Sequence, residues 1–305
     1  MRIFVTGATG WVGSAVAGEL ISAGYQVLGL VRSDAGARSL GAAGAEVYRG
    51  ALTDLESLRG GAAAADAVIH TAFIHDFSKF QENCDIDARA IETLGNVLAG
   101  SNRPLIVTSG LGILKSGPIA TEQDPAHAHL PRKSETAAES FVSRGVRAMS
   151  VRLAPSVHGD GDHGFVPMLI NLAREKGLSA YVGDGQNRWP GVHRLDAARL
   201  YRLALEKGVA GGRYHGVAEE GVPFREIAEV IGRRLSVPVA SLSQEEAAKH
   251  FGWMAAFAGM DLSASNQHTR EQLGWQPKER GLIADMGEGL YFQGVRPDFT
   301  TATAS

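Results

Sequence analysis

The sequence predicts an α/β chain: a doubly wound parallel sheet with a small C-terminal substrate lobe over the carboxyl ends of its strands. Three observations carry this. The first half alternates short apolar runs with helical, alanine-rich stretches, and such alternation across short connections means parallel strands and right-handed crossovers. Residues 3–13, Ile-Phe-Val-Thr-Gly-Ala-Thr-Gly-Trp-Val-Gly, run a short strand into a glycine-rich turn. From about Gly159 the alternation stops, Gly and Pro become frequent, and helices are joined by irregular segments.

The expected strands, in order, are Arg2–Thr6, Gln26–Val31, Glu46–Arg49, Ala67–His70, Leu105–Thr108 and Ala148–Arg152. Each is a short β-branched or aliphatic run. Helical periods fall between them at Ser14–Ala23, Ala35–Ala43, Asp54–Arg59, Asp85–Ala99 and Lys133–Ser143. Beyond Gly159 the helical periods are Val166–Glu175, Leu195–Lys207, Phe224–Ser236 and Gln244–Phe251. The division expected is a dinucleotide-binding body over 1–158, a mainly helical lobe over 159–296 with segments free to return to the sheet, and a small, polar, disordered tail over 297–305. No internal repeat or low-complexity linker separates the two larger parts.

Gly7, Gly10 and Gly13 are spaced G-x-x-G-x-x-G at the end of the first strand. That makes the sheet Rossmann-type and the turn a pyrophosphate seat. The first glycine allows the tight turn, the second lets backbone approach phosphate, and the third lets helix and strand pack closely. The helix N-terminus adds unpaired N–H groups and partial positive charge. Thr6, Thr9, Trp11 and Val12 complete the expected cofactor contacts of this turn. The second strand ends Leu30-Val31-Arg32-Ser33. A carboxylate here would take a ribose 2′-hydroxyl, whereas Arg32 and Ser33 suit a 2′-phosphate, so NADP(H) is expected over NAD(H). Ala51 and Leu52, after the third strand, are expected beside the adenine.

Composition bounds the rest. The chain has 305 residues, 44% hydrophobic and 21% charged, with a formal charge of −3, so no basic field argues for nucleic acid or an anionic membrane. No run reaches the length of a membrane span. One cysteine, Cys84, permits no internal disulfide and suits a reducing cytoplasm. Neither His127-x-His129 nor the His158…His163 stretch has the partners of a closed zinc site, so no metal is expected.

These residues resemble the extended and atypical short-chain dehydrogenase/reductase superfamily, in particular its epimerase/dehydratase-like members. Thr6-Gly7-x-x-Gly10-x-x-Gly13 carries the likeness at the N-terminus. Val68-Ile69-His70-Thr71-Ala72 resembles the fourth strand of that family, whose end, with Phe73, lines the cofactor. Ile106-Val107-Thr108-Ser109-Gly110 resembles the fifth, with its hydroxyl cluster. Val151–Gly159 looks like the segment that passes the nicotinamide, which places Pro155, Ser156 and Val157 on the cofactor. Val192–Asp196 and Leu273–Pro277 resemble later landmarks of the substrate lobe. Helices equivalent to Asp85–Ala99 and Lys133–Ser143 pair into a dimer in such proteins, so a homodimer is possible.

The chain departs from the family at its usual Tyr-x-x-x-Lys pair. Aligning Ser134–Glu139 with the family's helix start puts Glu135 in the lysine slot and Pro131 in the tyrosine slot, and no tyrosine lies between Tyr48 and Tyr181. Asp87 stands where the family has asparagine. The resemblance therefore implies an atypical member whose proton donor is another residue or water. Ser109 is the first candidate, and histidines that titrate near neutrality follow: His158, then His127, His129 and His163. Glu135, in reach of a ribose, would accept its hydroxyls and favour oxidised nicotinamide. The expected function is NADP(H)-dependent reduction of a small carbonyl substrate. Epimerisation or dehydration of a sugar-like molecule, with Arg188, Arg194 and Arg199 as the available basic groups, is one alternative. A non-catalytic NADP-binding redox sensor is the other.

Overall fold

The computed structural model describes residues 1–114, 119–127 and 129–293. Its first half reads β1 Arg2–Thr6, α1 Trp11–Ser22, β2 Gln26–Val31, α2 Asp34–Ala42, β3 Glu46–Arg49, α3 Leu55–Ala63, β4 Ala67–His70, α4 Phe80–Leu98, β5 Pro104–Gly110, α5 Ser134–Glu139 and β6 Arg147–Leu153. The second half holds β7 Ser156–His158, α6 Phe165–Lys176, β8 Ser179–Val182, β9 Arg188–His193, α7 Arg194–Lys207, β10 Arg213–Gly216, β11 Glu219–Pro223 and α8 Phe224–Leu235. It ends with β12 Val239–Leu242, α9 Gln244–Phe251, α10 Ala255–Ala258, α11 Gln267–Leu273 and α12 Leu282–Glu288.

Seven parallel strands form the central sheet in the order β3-β2-β1-β4-β5-β6-β10. Both faces are covered, so its strands read as continuous apolar runs rather than alternating ones. In β1, Ile3 and Val5 pack into one core with α1 and α7 (Val16, Leu20, Leu200, Tyr201). Phe4 points to the other face and packs with Leu58, Ile91 and Leu94. This is the two-residue alternation of a strand. A separate core (Val166, Ile170, Trp189, Phe224, Ile227) holds the C-terminal lobe together.

All six expected strands are present, but the sheet has a seventh. Arg213-Tyr-His-Gly is too polar and short to signal a strand, yet β10 pairs in register with Ser150–Leu153 of β6. Tertiary packing places it: α7 lies against α1, and Tyr214 is buried in the shared core. The lobe also carries strands where irregular segments were expected, in a three-stranded sheet β11-β9-β7 and a two-stranded sheet β12-β8. Several helices differ at their ends: the first begins at Trp11 rather than Ser14, and the third runs on to Ala63 rather than stopping at Arg59. The fourth begins at Phe80, five residues before the expected Asp85, behind a turn at Phe77–Lys79 capped by the Asp76 side chain. The fifth stops at Glu139 rather than Ser143, because the chain tightens at Val142–Arg144 and reverses through Gly145 in the left-handed region. The tail 297–305 lies outside the described residues.

Candidate cofactor and substrate site

The carboxyl ends of β1, β4, β5 and β6 bring the candidate residues together. At β1, Gly7 has φ +68°, and a Cβ there would come 2.8 Å from the amide of Ala72. A Cβ on Gly13 would lie 2.0 Å from the Gly7 carbonyl and 2.6 Å from Thr71 Oγ1, so no side chain fits. Gly10 differs: it is exposed, and a Cβ would meet only the Gly7 carbonyl, at 3.2 Å. Two positions are shut by packing and one is bare toward solvent, which is the cradle a diphosphate requires. Gly10 also caps α1 with no side chain of its own, leaving the first-turn amides available to an anion. The Trp11 indole N–H donates to the Val157 carbonyl at 2.7 Å, and the Arg194 guanidinium lies 4.2 Å above its ring. The turn is thereby tied to the segment Pro155–Val157.

At the end of β2 the acidic Asp34 is spoken for. Asp34 forms an ion pair with Arg49, while Arg32 and Arg38 are exposed and make no ion pair among the described residues. The Ser33 hydroxyl caps α2 by accepting from the Gly36 amide at 3.1 Å. Ala51 and Leu52 are half-buried beyond β3, and the Ser57 hydroxyl holds the Ala51 backbone.

A buried polar chain runs beneath the cradle. The Thr6 hydroxyl bonds His70 Nδ1 (2.8 Å), and His70 Nε2 bonds Asp87 Oδ1 (3.0 Å). Ser134 Oγ donates to Asp87 Oδ2 (2.5 Å), and Arg132 Nε donates to Ser134 Oγ (3.0 Å). With the Thr6 hydroxyl donating to His70 Nδ1 and His70 Nε2–H donating to Asp87, every group has the donor or acceptor its chemistry needs. Arg132 donates a second bond to the Thr108 carbonyl at 3.0 Å and lies 4.3 Å over the Phe73 ring. The Thr108 hydroxyl bonds the His70 carbonyl and the Tyr201 hydroxyl. Tyr201 is fully buried, and burial drives its phenol pKa upward, so it stays protonated. Thr71 Oγ1 donates to the Thr6 carbonyl at 2.7 Å.

An aromatic row leads away from Arg132 toward the lobe. Phe73 packs on Phe80, and Phe80 on Phe77. Phe77 stacks on Trp253 at 5.1 Å, and both are exposed. Phe165 and Phe257 continue the row to the buried Trp189.

Comparison with known proteins shows the family. Residues 3–94 match the model of the NAD dependent epimerase/dehydratase family. An uncharacterized protein of Schizosaccharomyces pombe is 52% identical over 96% of this chain and 100% of its own length. The chain belongs to the NAD dependent epimerase/dehydratase family. A second uncharacterized relative, from Saccharomyces cerevisiae, is 47% identical over 94% of this chain and 98% of its own. A dTDP-glucose 4,6-dehydratase structure from Streptomyces venezuelae with NAD bound superposes with a TM-score of 0.76. It covers 96% of each chain at 19% identity and so shares the fold. The protein is thus an NAD(P)-binding Rossmann-fold member of a family of oxidoreductases, epimerases and dehydratases.

Within this epimerase/dehydratase fold the expected catalytic residues separate. Ser109 is buried at the end of β5, and its hydroxyl has no partner among the described residues. Asp87 lies in the polar chain. Glu135 does not reach toward a ribose: both its oxygens take bonds from Arg152 Nε and NH2, at 2.7 and 2.8 Å. Its slot faces the end of β6, where a buried guanidinium needs a counter-charge. His158 is fully buried, with Nδ1 on Asp285 at 2.9 Å. Ser156 is buried with its hydroxyl unpartnered, one residue past the half-buried Pro155. His127 and His129 pack on each other, and His163 edges against Trp11. Among the described residues no group of three His, Cys, Asp or Glu could hold a metal ion, and no helix is long and apolar enough to cross a membrane. Cys84 is buried and free, and burial raises its thiol pKa.

Sequence reading missed Arg132, which sits between the two aligned slots. The signal available was small: a basic pair, Arg132-Lys133, inside a vacant Tyr-x-x-x-Lys pattern.

Proposed function

We propose that this protein is an NADP(H)-dependent oxidoreductase that reduces a small, apolar aldehyde or ketone. The observation that carries the reading is the meeting, at the ends of β1, β4 and β5, of a phosphate cradle, a fixed cation and an aromatic row. Residues 1–158 hold the cofactor, and residues 159–296 supply the substrate side. When bound, the nicotinamide supplies the hydride. Gly7, Gly10 and Gly13 with the α1 amides hold the diphosphate, and Arg32 grips a 2′-phosphate that the paired Asp34 does not repel. Phe73, Phe77 and Trp253 exclude water and take an apolar substrate body.

The nucleotide-sugar alternative finds less support. Arg188 is bound to Asp261, and Arg199 to Asp196 and Glu279, while Arg194 covers Trp11. Two of the three basic groups available to a second diphosphate are thus committed to carboxylates. The buried thiol of Cys84 is consistent with work in a reducing cytoplasm.

The test is NADPH consumption by the purified protein with a panel of aromatic and aliphatic aldehydes and ketones, set beside calorimetric titration with NADPH and NADH. Consumption with apolar carbonyls and tighter NADPH binding are expected. Tight NADPH binding without turnover of any carbonyl would leave the redox-sensor reading in its place.

A further inference from the structure

We propose that Arg132 is the catalytic electrophile: its guanidinium holds the substrate's carbonyl oxygen and the negative charge that develops on it. The proposal rests on the reductase reading above and names the residue that takes over at the vacant tyrosine position.

Three observations place it there. The first is position. Arg132 donates to the Thr108 carbonyl, at the carboxyl end of β5, and lies on Phe73, just past β4. The segments that end these two strands line the cofactor in a Rossmann sheet. The second is valence. Nε is used by Ser134 and NH2 by Thr108, while NH1 has no partner among the described residues. No carboxylate there pairs with Arg132 directly. A half-buried guanidinium with one amino group uncommitted is a donor waiting for an oxygen. The third is rigidity. Arg132 hangs from the chain Ser134–Asp87–His70–Thr6, of which every member after Arg132 is buried. The carboxylate Asp87 is one hydroxyl away. It therefore orients Arg132 without neutralising it by contact. Asp87 and Ser134 are positioning residues.

The chemistry follows from the group. An arginine does not give up its proton near neutral pH, so Arg132 is no general acid. As the carbonyl carbon takes the hydride from the nicotinamide, the C=O π pair moves onto oxygen. The Arg132 NH1 donors hold the resulting alkoxide, and a solvent proton completes the alcohol, leaving the nicotinamide oxidised. Preorganised donors at such an oxygen are worth about 10²–10³ in kcat.

The experiment compares wild type, Arg132→Ala and Arg132→Lys. In Arg132→Ala, kcat with the best carbonyl should fall about 10²–10³-fold, while the calorimetric Kd for NADPH stays within a few-fold. Non-denaturing guanidinium chloride should restore part of kcat, and sodium chloride at equal ionic strength should not. Benzoate, whose carboxylate mimics the alkoxide, should bind the wild-type complex with NADP⁺ and fail to bind the variant's, a readout independent of turnover. Arg132→Lys keeps the charge but loses the fork and should stay folded with an intermediate kcat, which covers a misfolded alanine variant. An active wild type whose Arg132→Ala variant keeps its kcat, or keeps benzoate binding, overturns the role of Arg132 and leaves the reductase reading standing. A wild type that binds NADPH and reduces no carbonyl overturns the reductase reading, and the role of Arg132 with it.

Discussion

Glu135 offers the sharpest check on the site, because the sequence alignment and the structure assign it different duties. Arg152 is completely buried, and Glu135 neutralises it through two bonds of 2.7 and 2.8 Å. The guanidinium also donates to the Asp124 carbonyl at 2.8 Å and meets His215 Nε2 at 3.3 Å. Glu135→Gln keeps the shape and removes the charge, leaving a buried cation supported by neutral acceptors alone. Removing one partner of such a pair costs about 3–5 kcal/mol. For 305 residues the unfolding entropy near the midpoint is about 0.6 kcal/mol/K, so each kcal/mol moves Tm by roughly 1.6 °C. Glu135→Gln should therefore lower Tm by about 5–8 °C, read by thermal denaturation. Glu135→Lys, which sets two cations together, should lower it further. The paired change Glu135→Leu with Arg152→Met should recover much of the loss, since no charge is then stranded. The ratio of NADP⁺ to NADPH affinity should not change in Glu135→Gln. A variant of unchanged Tm whose affinity ratio shifts would refute the structural assignment and return Glu135 to the ribose.

Three further outcomes follow from the geometry. Gly13→Ala puts a methyl 2.0 Å from the Gly7 carbonyl; it should cost more than the ordinary overpacking range of about 1–3 kcal/mol and abolish NADPH binding by calorimetry. Arg32→Ala should weaken NADPH binding about 10–100-fold and NADH binding little, the loss of one charge-assisted bidentate contact to a phosphate being about 1.5–3 kcal/mol; equal loss for both nucleotides would refute the phosphate role. His215 is buried with Nδ1 donating to the Ser265 carbonyl, and burial pushes its pKa down to about 4. Glu122 and Glu135 oppose that shift, and Arg152 adds to it. Because the folded pKa lies below the unfolded one, the unfolded chain takes up the proton first. Stability should fall as pH drops from 6.5 toward 4, and His215→Gln should flatten that slope in denaturant melts between these pH values.

The glycine turn, the six alternating strands and the two hydroxyl-bearing strand ends were legible because local rules govern them. Backbone sterics demand Gly7 and Gly13, and a strand buried on both faces must be apolar along its length. The arginine at the end of β2 was legible as a charge. That Asp34 pairs with Arg49 was not, since Arg49 ends the neighbouring strand and pairing depends on register. The same holds for β10, which pairs with β6 residues 63 positions earlier and has almost no local strand signal.

The proposed catalytic centre is where reading along the chain gave out. Thr6, His70, Asp87, Ser134 and Arg132 form one hydrogen-bonded chain drawn from β1, β4, α4, α5 and the residues just before α5. No spacing in the sequence relates them. Aligned slots named Glu135, yet it turned to a buried guanidinium, because an uncompensated charge in the interior is far costlier than an unoccupied family position. By itself the sequence determined the fold and the cofactor seat, which short-range backbone and packing constraints dictate. The tertiary structure alone decided which charges are paired and which are left facing the site, because that depends on through-space distances between segments far apart in the chain.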